Sequence, residues 1–292
     1  MTDLDLRLVR YFTVVAEHQH FRRAADELRI AQPSLSRQIR RLEQQLGARL
    51  LDRTPRGTVL TEAGEAFLPR AKSLLRSAAR AAAEARAAAR PHRIVLGYAN
   101  GLIITEAARA MRRLHPDAEV RTKHIDFTEP HTALLDHRAD AVVARLPFPT
   151  DGLRVTLLYQ EPRAVVVSRE HRLAERDSVT LADIADEPMP QIPGADGAWT
   201  AYWRLEPRPD GSTAPAGPSI TALEEKFEAV ASGQAVVVAV RAVARMRPDL
   251  VAIPLVDVEP SHVVLATRAG ERNRLITDFA RLAEEHITGP EV

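Results

Sequence analysis

Residues 24–43 read Ala-Ala-Asp-Glu-Leu-Arg-Ile-Ala-Gln-Pro-Ser-Leu-Ser-Arg-Gln-Ile-Arg-Arg-Leu-Glu. Ala24, Ala25 and Leu28 continue a helical spacing begun at Phe21, and Leu35, Ile39, Leu42 and Leu46 form a second one behind Pro33, a residue suited to a first helical turn. Two helices joined by so short a turn expose the leading residues of the second. A major groove admits one helix, whose first residues meet the base edges. Gln32 can pair with adenine and Arg37 with guanine, each for about 1–3 kcal/mol of discrimination. Ser36 is expected on the same face, Arg40 and Arg41 continue towards the DNA backbone, and Ser34 either touches a phosphate or helps satisfy the helix end.

Working outward, Leu8, Phe12 and Val15 mark a preceding helix. Gly47 ends the helix that opens at Gln32, as a glycine beyond the last periodic residue should. The segment 49–60 carries Pro55 and Gly57 between two short extended pieces. Three compact helices and a two-strand ribbon make a winged helix-turn-helix over residues 1–60. From Thr61 the composition turns to alanine and arginine, with Glu62 and Glu65 in the first turn of a new helix, where they complement its dipole. Phe67, Ala71, Leu74, Ala78, Ala81, Ala85 and Ala88 step by fours and threes as a heptad seam. Pro69 is expected to bend this helix, and Pro91 closes a linker of residues 61–91. A narrow exposed seam needs a partner: a second copy of the chain, which its length favours, or the neighbouring domain.

Charge divides at the same place. Residues 1–93 hold 18 Lys+Arg against 10 Asp+Glu, and the remainder holds 22 against 29. A basic front and an acidic remainder point the front alone at a polyanion. Absence of cysteine excludes disulfides, thiolate metal sites and cysteine nucleophiles. The short apolar run Tyr11–Ala16 is neither a signal peptide nor a membrane span, so the expected location is the cytoplasm.

After residue 91 the rhythm alternates. Strands are expected at 94–98, 120–125, 141–144, 164–167, 235–240 and 263–266, and helices at 102–114, 132–137, 224–232 and 272–286. Repeated βα units predict α/β architecture with a mostly parallel sheet. The Pro- and Gly-rich stretch 190–218 reads as loop, interrupted by Trp199, Tyr202 and Trp203.

The stretch RAADELRIAQPSLSRQIRRLEQQLGARLLDRTPRGTVLTEAGEAFL resembles the LysR-type transcriptional regulators, from Leu6 to about Leu68. Its Q-P-S-L-S-R-Q-I core, L-G-A-R-L-L-D-R bridge and L-T-E-A-G end recur together in that family. The resemblance implies that Gln32, Pro33, Ser36 and Arg37 contact DNA, and that Arg53 and Arg56 in the wing meet phosphates or the minor groove. Two departures stand out. Ala31 replaces a capping hydroxyl, a loss of about 1 kcal/mol. His20 and Arg22 replace Ser and Thr at the second helix's entry, where Arg22 can still reach a phosphate.

More loosely, the resemblance runs on through Leu114-His115-Pro116, Asp140-Ala141-Val142-Val143, Glu161-Pro162 and Val230-Ala231-Ser232-Gly233. It implies a two-lobed, periplasmic-binding-protein-like effector domain over 92–292. Lobe I would span about 92–162 and 267–292, and lobe II about 163–266. An effector would sit in the cleft at the strand ends, near helix N-termini. Asn100, Gly101, Thr128, Arg145 and Thr221 follow strands there and are the expected effector contacts. Arg145 would either clamp a carboxylate bidentately or form a salt bridge between lobes. The aromatic trio would floor the pocket or, the preferred reading, pack the loop. The expected protein is a homodimer or homotetramer on a promoter or operator with an inverted repeat, switched by a small molecule, a carboxylate among the candidates. No catalytic residue, metal site or cofactor is expected: His115, His124, His131 and His137 are irregularly spaced, and neither G-x-S-x-G, a Walker loop nor H-E-x-x-H occurs. An enzyme with an appended DNA-binding domain, a solute-binding protein and a sensor-less architectural DNA binder are the rivals.

Overall fold

A computed structural model describes residues 4–54, 57–88, 92–241 and 247–289. The chain divides into two compact units, Met1–Ala89 and Arg90–Val292.

In the first unit, α1 (Leu6–His18), α2 (Phe21–Leu28) and α3 (Gln32–Leu46) precede β1 (Leu51–Thr54), β2 (Gly57–Leu60) and α4 (Glu62–Ala88). Each helix start has a local cause. Asp5 accepts from the Arg7 amide at 2.9 Å to open α1. His20, where a hydroxyl was expected, caps α2 all the same, its Nδ1 accepting from the Arg22 amide at 3.2 Å. Ala31 gives α3 no side-chain cap, and Pro33 in the first turn lowers the number of amides needing one. Gly47, at φ 69°, closes α3 in the left-handed region that glycine favours. Leu8, Phe12, Leu35, Ile39, Leu42 and Leu50 form one buried cluster.

The β1–β2 ribbon is antiparallel, pairing Leu51 with Leu60 and Arg53 with Thr58. Thr61 then starts α4 by accepting from the Gly64 amide at 3.0 Å, while its hydroxyl donates to the Arg49 carbonyl at 2.6 Å. The helix runs unbroken through Pro69. Gly64 is a close-approach glycine: a Cβ there would lie 2.1 Å from the Leu50 carbonyl oxygen.

The second unit has two lobes. A five-stranded sheet, ordered β4-β3-β5-β12-β6, carries the first. Its members are β3 (Arg93–Tyr98), β4 (Glu119–His124), β5 (Ala141–Arg145), β6 (Leu153–Glu161) and β12 (Ser261–Arg268), with helices α5 (Thr105–Leu114), α6 (Pro130–Leu135) and α9 (Arg274–His286). The second lobe holds β7 (Arg163–Ser168) between β10 (Val237–Val240) and β11 (Leu250–Pro254), a parallel pair β8 (Met189–Gln191) and β9 (Ala216–Ser219), and helices α7 (Gly197–Arg204) and α8 (Leu223–Ala231).

Several expectations need correction. The sheets are mixed: β3 pairs in parallel with β4 and β5, but β12 runs antiparallel to β5 and β6, and β10 and β11 both run antiparallel to β7. In each lobe the antiparallel pairing is made by the strand that enters from the other, β12 in the first and β7 in the second. The second crossing lies before Ser261, earlier than 266, because β12 already belongs to the first sheet. The stretch 190–218 is more than loop. It contains α7, opened by Asp196, whose carboxylate accepts from the Ala198 and Trp199 amides at 2.9 and 3.2 Å. Among the described residues no helix is long and apolar enough to cross a membrane.

Because the contact at Gly64 is with backbone, Gly64→Ala is expected to destabilise the first unit by about 1–3 kcal/mol or more. Thermal unfolding of the full chain measures it; an unchanged lower transition would contradict the contact.

Candidate DNA-reading helix and effector cleft

On α3, Leu35 and Leu42 are fully buried and Ile39 nearly so, which turns the opposite side outward. Gln32, Pro33, Arg37, Arg40 and Arg41 are exposed, and Ser34 is half-buried. Ser36 departs from expectation: it is only 5% exposed. Three residues before Ile39, it shares that residue's inward side and is not presented with Arg37. Arg22 is exposed at the start of α2. Arg53 stands in β1 opposite Thr58, while Arg56 lies outside the described residues. A residue that sequence reasoning passed over holds the reading helix to the ribbon. Glu43 Oε1 accepts from the amides of Leu50 and Leu51 at 2.8 and 3.3 Å.

The expected seam on α4 is divided. Ala71 is fully buried and Phe67 half-buried in the cluster around Phe12, whose ring centroid lies 5.5 Å from that of Phe67. Lys72 pairs with Glu17 at 2.8 Å. Leu74, Ala81 and Ala85 are exposed and Ala78 is half-buried. Ala88 is the helix's last residue, and Pro91 lies outside the described residues.

In the second unit, a cavity of about 110 Å³ opens between the lobes. Asn100 and Arg145, at the ends of β3 and β5, contribute from one side, and Thr221, ahead of α8, from the other. Gly101 and Thr128 do not line it. Gly101 turns the chain at φ 72°, and Thr128 is exposed, its amide and hydroxyl both donating to Asp126 at 3.0 and 2.7 Å. The wall is chiefly apolar and includes Phe127, Trp199 and Trp203. Trp199 stacks on Phe127 across the cleft with centroids 4.6 Å apart. Trp199 and Trp203 thus serve the cavity, against the preferred loop-packing reading. Tyr202 does not. Its hydroxyl donates to the Pro260 carbonyl at 3.1 Å, and its ring lies 4.3 Å from the guanidinium of Arg163. Arg163 in turn donates to the Glu259 carbonyl at 2.7 Å, so this pair ties the two chain crossings together. Burial pushes the Arg163 guanidinium below its usual range and the Tyr202 phenol above its own.

The polar groups of the cavity are mostly committed. Arg145 donates through Nε to Glu161 at 2.5 Å and through Nη1 to the Asn100 carbonyl at 2.7 Å. This is not the expected salt bridge between lobes: the ion pair closes within the first lobe, since Glu161 ends β6. Asn100 Oδ1 meets His124 Nε2. The Thr221 amide and hydroxyl donate to Glu225 at 2.6 and 3.0 Å, and these bonds, with one from the Ala222 amide, hold the Glu225 carboxyl below its ordinary range. Lys226, on α8, also lines the cavity. Its signal in the sequence is a lysine at the helical phase of the apolar Leu223, Phe227 and Val230. Among the described residues no group of three or more His, Cys, Asp or Glu could hold a metal ion.

A helix with an outward basic face and a second unit with an open cavity between its two lobes fit a DNA-binding regulator with an effector-binding domain. The chain belongs to the LysR family of bacterial transcriptional regulators: the bacterial regulatory helix-turn-helix profile of that family matches residues 6–65, and the LysR substrate-binding domain profile matches 93–288. Among curated relatives, the uncharacterized regulator YnfL of Escherichia coli K12 is 35% identical over 196 residues, which span 64% of this chain and 65% of that protein. AlsR of Bacillus subtilis is 30% identical over 68% of this chain and 67% of its own length, and ShiR of Corynebacterium glutamicum is 35% identical over 67% and 68%. Full-length BenM superposes with a TM-score of 0.57 at 26% identity, covering 99% of this chain and 100% of BenM. CbnR, a LysR family regulator, gives 0.61 at 22% identity over 98% and 100%, a likeness that speaks for the fold alone.

Arg145 and Glu161 have side chains 12% and 5% exposed. Removing one partner strands the other's charge, so Glu161→Gln is expected to lower stability by about 3–5 kcal/mol. Replacing both by apolar residues of similar volume should return most of it. Denaturant unfolding of the two variants measures this, and equal losses in both would refute the pairing.

Proposed function

We propose that the protein is a cytoplasmic regulator that binds an operator with an inverted repeat as a homodimer or homotetramer, and that a small molecule in the cleft controls it. The observation that carries the DNA reading is the division of α3: Leu35, Ile39 and Leu42 face inward, while Gln32, Pro33, Arg37 and Arg40 are left outward at its leading end. Gln32 and Arg37 are the base readers of this proposal. Arg22, Arg40, Arg53 and Arg56 are its phosphate or minor-groove contacts, and Ser34 a phosphate contact. Ser36 enters only if it leaves its buried position on binding.

The outward residues Leu74, Ala78, Ala81 and Ala85 on α4 support pairing through that helix, because a narrow apolar stripe in water gains most from a matching copy. Two copies would set two reading helices about one helical turn, or a multiple, apart. The cavity between the lobes supports small-molecule control, with Asn100, Arg145 and Thr221 at its wall. A ligand shifts such a regulator only by its differential affinity for two arrangements. The protein itself performs no catalysis in this reading.

Arg37→Ala is expected to abolish preference for the operator over random duplex while leaving a folded oligomer, measured by footprinting and sedimentation. Arg40→Ala is expected to weaken all duplexes alike and to reduce the slope of log affinity against log salt by about 1. Footprints unchanged in the Arg37 variant would overturn the assignment of α3.

A further inference from the structure

Three positive groups stand close to the cleft, and two are spoken for. Arg145 is bonded to Glu161 and to the Asn100 carbonyl. Arg204, on α7, donates to Glu206 at 2.9 Å and to the carbonyls of Met189, Pro190 and Ala214. The third, Lys226, has neither an ion pair nor a side-chain hydrogen bond among the described residues, and it lines the cavity. Glu225, beside it on α8, turns back to Thr221 and Ala222. Glu224 and Glu228 on the same helix are exposed, and Glu228 pairs with Arg247 at 2.8 Å. The neighbouring strand β10 presents only Val237, Val238, Ala239 and Val240. An ammonium in such a place has lost water without gaining a counter-ion. Burial pushes the Lys226 amine down to about 8.

The rest of the wall specifies shape. Trp199 and Trp203 line the cavity, with Phe127 stacked on Trp199. Its volume, about 110 Å³, is below the roughly 150 Å³ of a closed apolar cavity that accepts benzene, so an aromatic guest would extend from it into the open side of the cleft. Flat aromatic walls favour a flat guest. A half-buried ammonium without a side-chain partner favours an anionic one, whose charge completes the pair that the protein leaves open.

We infer that the cleft takes a compact, planar aromatic monoanion, with its ring against the indole wall and its carboxylate paired with Lys226. This rests on the effector reading above and names the chemical class of that effector. Arg145 is then a fixed part of the wall and Lys226 the residue that recognises charge. Leaving this cation unpaired costs the ligand-free protein stability, a cost the ligand removes.

The test uses the full-length protein with benzoate, its neutral isostere benzamide, and acetate as an anion without a ring. Both tryptophans of the chain line the cavity, so their emission responds to a ligand there. Benzoate is expected to shift that emission and raise the melting temperature, with benzamide and acetate each at least about tenfold weaker. Lys226→Met should bind benzoate on the order of 10–100-fold more weakly, as loss of a charged hydrogen bond requires, and should melt above the wild-type ligand-free protein. Benzoate affinity should be constant below pH 8 and fall about tenfold per pH unit above it, because the bound amine must carry its proton. The sign for folding is opposite. Unfolding restores the ordinary value of 10.5, so the unfolded chain holds more protons between about pH 8 and 10.5. Ligand-free stability therefore rises across that window.

Equal affinity for benzoate and benzamide in the wild type, full benzoate affinity in the Lys226→Met variant, or no response to benzoate at all would each overturn the inference. The effector reading fails on a different result: a compound that demonstrably occupies the cavity, charged or neutral, leaves operator affinity unchanged.

Discussion

The burial of Leu35, Ile39 and Leu42 in the cluster around Leu8 and Phe12 is the constraint on which the DNA-binding unit depends. A helix that commits one stripe to a core has no freedom to choose what it shows to solvent. With that stripe inward, Gln32, Arg37 and Arg40 are outward, and the surface proposed to read DNA is a consequence of packing. Glu43 adds a second restraint by accepting the Leu50 and Leu51 amides, so the ribbon starts at a defined place relative to the helix. The burial of Ser36 follows from the same geometry. Its register with Ile39 takes it inward even though its sequence neighbour Arg37 points out.

The same economy of faces governs α4. Its first turns are spent within the unit, where Phe67 and Ala71 join the core and Lys72 meets Glu17. From Leu74 onward the stripe turns towards solvent. A periodic pattern in sequence therefore served two purposes in succession, and periodicity carries no mark of where one ends and the other begins.

In the effector unit, the arrangement of charge matters more than its amount. Arg145, Arg163, Arg204 and Arg268 are all poorly exposed, and each is met by a carboxylate or by backbone carbonyls. These groups hold strands, crossings and helix ends in place, and their hydrogen bonds offset the cost of removing them from water. Lys226 stands outside that scheme. Arg208, 6% exposed, is also incompletely served, its Nε and Nη2 without partners, but it does not line the cavity, whereas Lys226 does.

What the sequence by itself determined was local. Helical spacing, the Thr61 start and the Gly47 stop are set by residues a few positions apart, so α1 to α4 and the outward placement of Gln32, Arg37 and Arg40 were legible, as were the strands with unbroken apolar runs such as 141–144. The edge strand β6 was not, because it alternates charged, polar and apolar residues without a buried run. Helix α7 was hidden among prolines and glycines, although Asp196 offered a cap. Strand direction, the place of the second crossing, the partner of Arg145, the meeting of Trp199 with Phe127 and the isolation of Lys226 were decided by tertiary structure alone. Each depends on residues tens to more than a hundred positions apart, and whether a charge is satisfied is a property of its three-dimensional neighbours, which no local pattern encodes.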